Sequence, residues 1–293
     1  MKTATNIIKK CALIFFLILY SVATDTHGAE DSQKKYFEAL KKKLITDGFD
    51  KKQIEDIYSK KNVGFEPMGI YLFFVHREVN VNYDQFSSKS SIKKAKTYAK
   101  THKKILSYAE KEFGVDKNVI VAIILVETRL GKLLGSKNVF NTLSTMAAIS
   151  EKSARDTLWE LLPEKERLSR TEYDAKADAK SQWAYDELKA LIEYSSKENV
   201  DIASLRGSYA GAMGIPQFLP SSIIKHAKDG NSDGRIDMFD NYDAIVSVAS
   251  YLKNYGWTKN IKREDAKSVI FNYNRSCYYV DAILKVADLL KGK

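Results

Sequence analysis

The chain has 293 residues, room for one large domain or two small ones, and its 44% hydrophobic and 29% charged content excludes a disordered or fibrous polymer. A net charge of +10 invites an anionic partner, yet the lysines are scattered along helical segments such as Lys93–Lys104 without a nucleic-acid motif; solvated helix faces explain most of them, and no nucleic-acid partner is expected. Two cysteines, Cys11 and Cys277, exclude a disulfide framework, and only four prolines argue for long helices.

Residues 1–29 read as a secretory signal peptide. Lys2, Lys9 and Lys10 make a basic start, and Cys11 to Val22 an apolar core too short for a standard membrane helix. Cleavage is expected after Ala23 or near Gly28–Ala29. The alternative is an uncleaved anchor; both readings export the remainder, to the periplasm and in association with the cell envelope. Cys277 is then a lone thiol.

Residues 30–113 form an expected N-terminal helical region. Phe37, Leu40 and Leu44 mark one amphipathic helix, Ile54 and Ile57 a second, with Asp47-Gly48-Phe49-Asp50 as the break. Residues 63–88 are aromatic without a period and read as irregular. Residues 90–113 read as one long basic helix ending near Gly114.

Val119 to Val126 is an unbroken apolar run that ends in Glu127. Such a run is buried on all sides. Asp116 as N-cap and Gly131 as the residue past the end predict a central helix rather than a strand. Glu127 then lies in its last turn. Its helical neighbours Ile123, Ile124, Leu130 and Gly131 cannot pair with it. A carboxylate there, against apolar surface at the negative end of a helix, should hold its proton near neutral pH, as a general acid does. The plain alternative is a carboxylate where a helix emerges into water.

Helices are expected over Asn138–Ile149, Ser153–Leu162 and Asp174–Ser195, with a charged break at Pro163–Arg170. The stretch from Gly207 to Ser222 is rich in glycine and small residues, so backbone can approach backbone or a ligand closely. It reads as a tight corner or as a cleft wall in which Ser208 and Gln217 are the polar contacts. Pro220 should open the next helix.

Asp229 to Asp240 matches a twelve-residue EF-hand loop. Asp229, Asn231 and Asp233 hold positions 1, 3 and 5, Gly234 the glycine position, and the Arg235 carbonyl position 7. Asp240 stands at position 12, where a longer glutamate is usual. A structural Ca2+ is expected, weakly bound, and no cofactor for catalysis. A helix over Asn241–Tyr255 carries Tyr251. Tyr273, Asn274, Tyr278 and Tyr279 then precede an apolar helix to Leu290. Tyrosine and asparagine in a cluster suit sugar rings, though core packing explains them equally well.

Three stretches together resemble the lytic murein transglycosylase B family: Glu127-Thr128-Arg129-x-Gly131, the segment Gly207–Ser222, and Tyr273-Asn274-x-Ser276-x-x-Tyr279, with the calcium loop between the last two. The resemblance is strong from about Gly114 to Leu290. It implies a mostly α, goose-lysozyme-like catalytic domain over 114–293, with the EF-hand-like loop, following the N-terminal helical extension. It implies cleavage of the β-1,4 bond between N-acetylmuramic acid and N-acetylglucosamine in peptidoglycan strands, by a monomer. Glu127 matches the single catalytic acid/base. Ser208, Gln217, Tyr251, Tyr273, Asn274 and Tyr279 match substrate positions, and Tyr83 matches another in a looser alignment. The chain departs from the family where two adjacent arginines are expected, since Ala179-Lys180 stands there. It also lacks a long insertion, with about sixteen residues between Trp257 and Tyr273.

The resemblance implies a lyase that forms a 1,6-anhydro sugar without water. Two rivals remain open: a hydrolytic goose-type muramidase, which needs a second acid to place water, and a non-catalytic calcium-dependent peptidoglycan-binding protein.

Overall fold

The computed structural model describes residues 35–75 and 82–292; the expected signal segment lies outside them. The first two expected helices form as α1 (Glu38–Thr46) and α2 (Lys51–Ser59). Gly48, at φ 101°, turns the chain between them, and Asp50 caps α2 by accepting the Gln53 amide at 2.7 Å. The aromatic stretch is more regular than its composition implied. It contains α3 (Pro67–Ile70), α4 (Leu72–Val75) and a 3-10 turn over Tyr83–Ser87. Ile70, Phe74 and Phe86 are buried, so long-range packing supplies the order that local periodicity does not.

The basic segment is two helices, α5 (Lys89–Thr101) and α6 (Lys103–Phe113), not one. The break falls at His102, whose ring lies 4.3 Å from that of Tyr98. Both α5 and α6 pack on the central helix that follows, and the break lets α6 pack also on a later one, α12 (Asn241–Asn254). Gly114, at φ 69°, closes α6.

The central run is α7 (Lys117–Thr128). Asp116 begins it, accepting the Asn118 amide at 2.9 Å. α5, α6, α12 and the final helix surround it, and Val119 to Leu125 are all buried. Each branched side chain so buried contributes roughly 1.5–3 kcal/mol. The helix stops two residues before the position expected for its end. Arg129, Leu130 and Gly131 are all left-handed, at φ 51°, 65° and 80°. The Leu130 amide reaches back to the Ile124 carbonyl at 3.1 Å, so the closing turn is built from side-chain-bearing residues before glycine is reached.

α8 (Val139–Ala148) is wholly buried and starts at Asn138, which accepts the Asn141 amide. α9 (Lys152–Leu161) follows. The next helix, α10 (Arg170–Lys197), is longer at both ends than expected; at its start Ser169 and Glu172 form a capping box. α10 lies across α8 and against α11 (Pro220–His226). A two-residue ribbon pairs β1 (Lys137–Asn138) antiparallel with β2 (Arg206–Gly207). Beyond α12 stands α13 (Arg263–Tyr273), which the sequence reading did not foresee, and α14 (Cys277–Lys291). The apolar core runs unbroken from Phe37 to Leu290. Among the described residues no helix is long and apolar enough to cross a membrane.

Candidate active site

Glu127 occupies the last turn of α7 and is half-buried. It is not unpaired, as its own helix had suggested. The phenol of Tyr279, from α14, donates to its Oε1 at 2.6 Å. Two opposing forces act on its proton. Desolvation favours the neutral acid, and the phenol favours the carboxylate. Desolvation is the larger, and the pKa rises from 4.5 to about 7. Tyr279 is itself buried, and desolvation together with the nearby Glu127 raises its phenol well above the usual range, so it remains a donor.

The tyrosines form a chain of rings leading away from the carboxyl. Tyr83 meets Tyr279 edge-on at 6.3 Å, and Tyr273 stacks parallel to Tyr279 at 6.4 Å. Tyr251 follows at 4.9 Å from Tyr273, and Phe218 touches both. Two of these phenols are engaged with backbone. Tyr273 donates to the Pro216 carbonyl at 2.6 Å, and Tyr251, buried, donates to the Asn272 carbonyl at 2.7 Å. Their geometry is that of supports that fix Tyr279 and the wall segment. Asn274, past the end of α13, is exposed.

The glycine-rich segment is a wall folded on itself. Gly207, Met213 and Phe218 are joined by short antiparallel bridges. A methyl group on Gly207 would lie 2.2 Å from the Ala212 carbonyl oxygen, and one on Gly214 would lie 2.4 Å from that of Met238. These are the close approaches that demand glycine. Ser208 accepts the amides of Ala210 and Ala212 at 3.2 Å, which leaves its hydroxyl proton to donate. Gln217 is held at φ 50° and donates to the carbonyls of Gly214 and Leu134. Its amide oxygen has no protein partner among the described residues.

Two supporting residues were not singled out from the sequence. Thr128, fully buried beside Glu127, donates to the Ile215 carbonyl at 2.9 Å and accepts the Gly131 amide at 3.0 Å. It ties the end of α7 to the wall, and its place in the Glu-Thr-Arg run was its sequence signature. Glu187, buried on α10, accepts both the amide and the hydroxyl of Ser221 and so caps α11 from outside. Nothing local in the sequence marks it.

In the loop 229–240 the side chains fold inward on loop amides. Asp229 accepts from Ser232 and Gly234, Asn231 from Asp233, and Asp233 from Arg235. These are hard oxygen donors on one short segment, in keeping with a calcium ligand set. Asp240 is the N-cap of α12 and accepts the amides of Tyr242 and Asp243 on Oδ1. The acid that closes the loop is Asp243, buried, accepting Gly230 and Asp237 amides at 2.7 Å. Among the described residues no three His, Cys, Asp or Glu side chains are gathered into a metal cage. Cys277 is exposed at the start of α14.

One proton-holding carboxyl, carried by a buried helix beside tyrosines and a glycine-built wall, stands on a mostly helical, lysozyme-like scaffold. The chain belongs to the transglycosylase SLT domain family, whose model matches residues 32–264. It is 31% identical to the membrane-bound lytic murein transglycosylase B of Escherichia coli K12 over 175 residues, covering 60% of this chain and 41% of that relative. Its fold is similar to that of the soluble lytic transglycosylase SltB1 of Pseudomonas aeruginosa, with a TM-score of 0.70 at 24% identity over 89% of this chain and 99% of that one. It is similar also to the Escherichia coli lytic transglycosylase Slt35 in complex with calcium, with a TM-score of 0.69 at 20% identity over 87% of this chain and 92% of that one.

Proposed function

We propose that the protein is an exported, monomeric peptidoglycan lytic transglycosylase with Glu127 as its acid and base. The observation that carries this reading is the state of Glu127. Its pKa of about 7 lets it hold and release a proton at neutral pH, and Tyr279 engages only Oε1, so Oε2 remains to carry that proton. The name of the Escherichia coli relative supports murein as the substrate.

In this mechanism Glu127 donates its proton to the glycosidic oxygen as the bond to C1 of N-acetylmuramic acid breaks. The substrate's own N-acetyl group stabilises the positive charge at C1. Glu127, now a carboxylate, takes the proton from the 6-hydroxyl, and O6 bonds to C1. The leaving sugar keeps the first proton, and the enzyme regains its own from the 6-hydroxyl. Ser208 as donor and Gln217 as acceptor line the wall, with Tyr83 and Asn274 at the rim. The loop residues Asp229, Asn231 and Asp233 and the Arg235 carbonyl would hold a calcium ion in a structural role, a reading supported by the calcium complex of the relative Slt35. When bound, that ion supplies charge balance to the loop.

The test is incubation with purified sacculi followed by mass spectrometry of the released muropeptides. The expected products end in 1,6-anhydro-N-acetylmuramic acid. Products heavier by one water would make the protein a hydrolytic muramidase, and binding without any release would make it a non-catalytic wall-binding protein.

A further inference from the structure

The two helices that follow the Tyr83–Ser87 turn carry a charge pattern that works against their own stability. Seven lysines lie between Lys89 and Lys104, and no Asp or Glu occurs between Asp84 and Glu110. All seven are exposed, and among the described residues none has an ion pair. The neighbouring acids are taken by other cations: Asp84 by Lys285, Glu110 by Lys117 and Asp116 by Lys291.

Lys89, Lys93, Lys96 and Lys100 follow the three- and four-residue spacing of one helix face, opposite the buried Ala95 and Tyr98. Like charges at that spacing repel and destabilise a helix. Both helices also begin with lysine, Lys89 in α5 and Lys103 and Lys104 in α6, and neither has an acid in its first turn. Positive charge there opposes the helix dipole. A solvated face ordinarily mixes its signs, which relieves repulsion. A face of one sign that accepts repulsion at several points is matched to a negative partner.

The surface dips on each side of this stripe. One depression, of about 570 Å3, is lined by the four stripe lysines together with Ile92 and Leu289. The other, of about 470 Å3, joins Lys93 and Lys94 to Leu130 and Lys132 of the loop after α7. Ammonium groups thus stand beside apolar side chains on both flanks of α5, a pairing that suits phosphate above and hydrocarbon below. None of the residues proposed to meet the glycan lines either depression.

We propose that α5 and the start of α6 form a docking face for a bilayer of anionic phospholipid, whose phosphates the lysines meet. A bilayer offers negative charge across a plane, and lysines on both flanks of one helix engage a plane. A single anionic strand would follow one flank and leave the other unmatched.

The experiment co-sediments the full chain with vesicles of phosphatidylcholine alone, with vesicles of phosphatidylcholine mixed with phosphatidylglycerol, and with purified sacculi. Binding is expected to the mixed vesicles at low ionic strength, falling steeply as salt is added, and none to phosphatidylcholine. Lys93→Gln/Lys96→Gln/Lys100→Gln should weaken that binding about 100-fold, about fivefold for each lysine. The same variant should melt about 1–3 °C higher, because the repelling pairs are gone. Lys89→Gln/Lys103→Gln/Lys104→Gln is the second variant if the first perturbs folding. Lys42→Gln/Lys51→Gln/Lys61→Gln removes the same charge from exposed positions on and beside α1 and α2, and should bind as the wild type does. Equal weakening by that control would reduce the effect to net charge and overturn the docking face. Failure of the wild type to bind the mixed vesicles overturns it as well. Retention on sacculi alone, lost in the α5 variant, would assign the lysines to the wall polymer instead.

Discussion

The phenol of Tyr279 and the carboxyl of Glu127 meet at 2.6 Å although 152 residues separate them. The contact pulls the carboxyl toward ionisation while burial pulls it toward the neutral acid, and burial prevails. Tyr279 therefore both orients the acid and keeps its pKa from climbing further.

Glu127→Gln removes the proton and keeps the shape. Release of anhydro-muropeptides should fall at least ~100-fold, the scale of a positioned acid–base group. Stability gives an independent check. The folded-state pKa of about 7 lies above the ordinary 4.5, so the folded chain binds a proton that the unfolded chain releases between these values. Stability of the wild type thus falls as pH rises from about 4.5 to about 7. Glutamine is neutral throughout. Above pH ~7 the variant should be the more stable by about 1–3 kcal/mol, and below pH ~4 the two should agree. Urea melts across that range measure it; parallel curves would mean that Glu127 is ionised in the folded state.

Tyr279→Phe keeps the ring and deletes the hydrogen bond to Oε1. With that support gone, the Glu127 pKa should rise, by roughly one unit for a bond to a charged group. A reaction that needs the protonated acid loses rate as pH climbs through this pKa. The alkaline limb of the pH–rate profile should therefore move upward, while the maximal rate falls about tenfold through poorer orientation. A profile unmoved on its alkaline side would remove Tyr279 from this role.

Gly214→Ala places a methyl group 2.4 Å from the Met238 carbonyl oxygen at a residue with φ 75°. The amide of Ile215 donates to that same carbonyl at 2.8 Å, so the wall is joined to the end of the loop 229–240 there. We expect a loss of more than about 2 kcal/mol, strain and clash combined. Gly256→Ala is the control: its φ is 101°, but nothing lies within 4 Å of the added group. It should show the strain alone, about 1 kcal/mol. Equal losses by denaturant titration would mean that the close approach at Gly214 contributes nothing.

Calcium should raise the melting temperature by mass action, with an affinity on the order of 10⁻⁴–10⁻³ M as in extracellular modules. Chelator should lower the melt by several degrees yet leave the rate at low temperature within a few-fold, because the loop stabilises the wall and takes no part in the proton cycle. Differential scanning calorimetry with calcium, magnesium or chelator, run beside the muropeptide assay, separates the two effects. Abolished turnover with an unchanged melt would contradict a structural role.

The helices and the candidate acid were legible in the sequence where the information is local. Asp116, the apolar run and Glu127 sit within a dozen residues, and the glycines of the wall announce their close contacts by having no side chain. Partners from distant segments were not legible. The Tyr279 phenol on Glu127 and the Glu187 carboxyl on Ser221 join residues that no period or spacing connects. The break at His102 was hidden because α5 and α6 keep the same hydrophobic phase, and only their different neighbours separate them. α13 was missed because Ala266, Val269 and Ile270 give it a narrow apolar stripe in a polar surround. Asp240, counted from Asp229 as the twelfth loop position, also caps the start of α12, a second role that the loop count does not reveal.

The contact between Glu127 and Tyr279 also sets an order of assembly. A polypeptide threading out of a ribosome or across a membrane presents α7 long before α14 exists. Until the last helix docks, Glu127 lacks both its hydrogen-bond donor and the tyrosine shell that shields it from water, and a carboxyl open to water ionises near its ordinary pKa. The chain is then without a proton to donate at neutral pH, and the carboxyl first becomes a competent acid when the final segment closes over it.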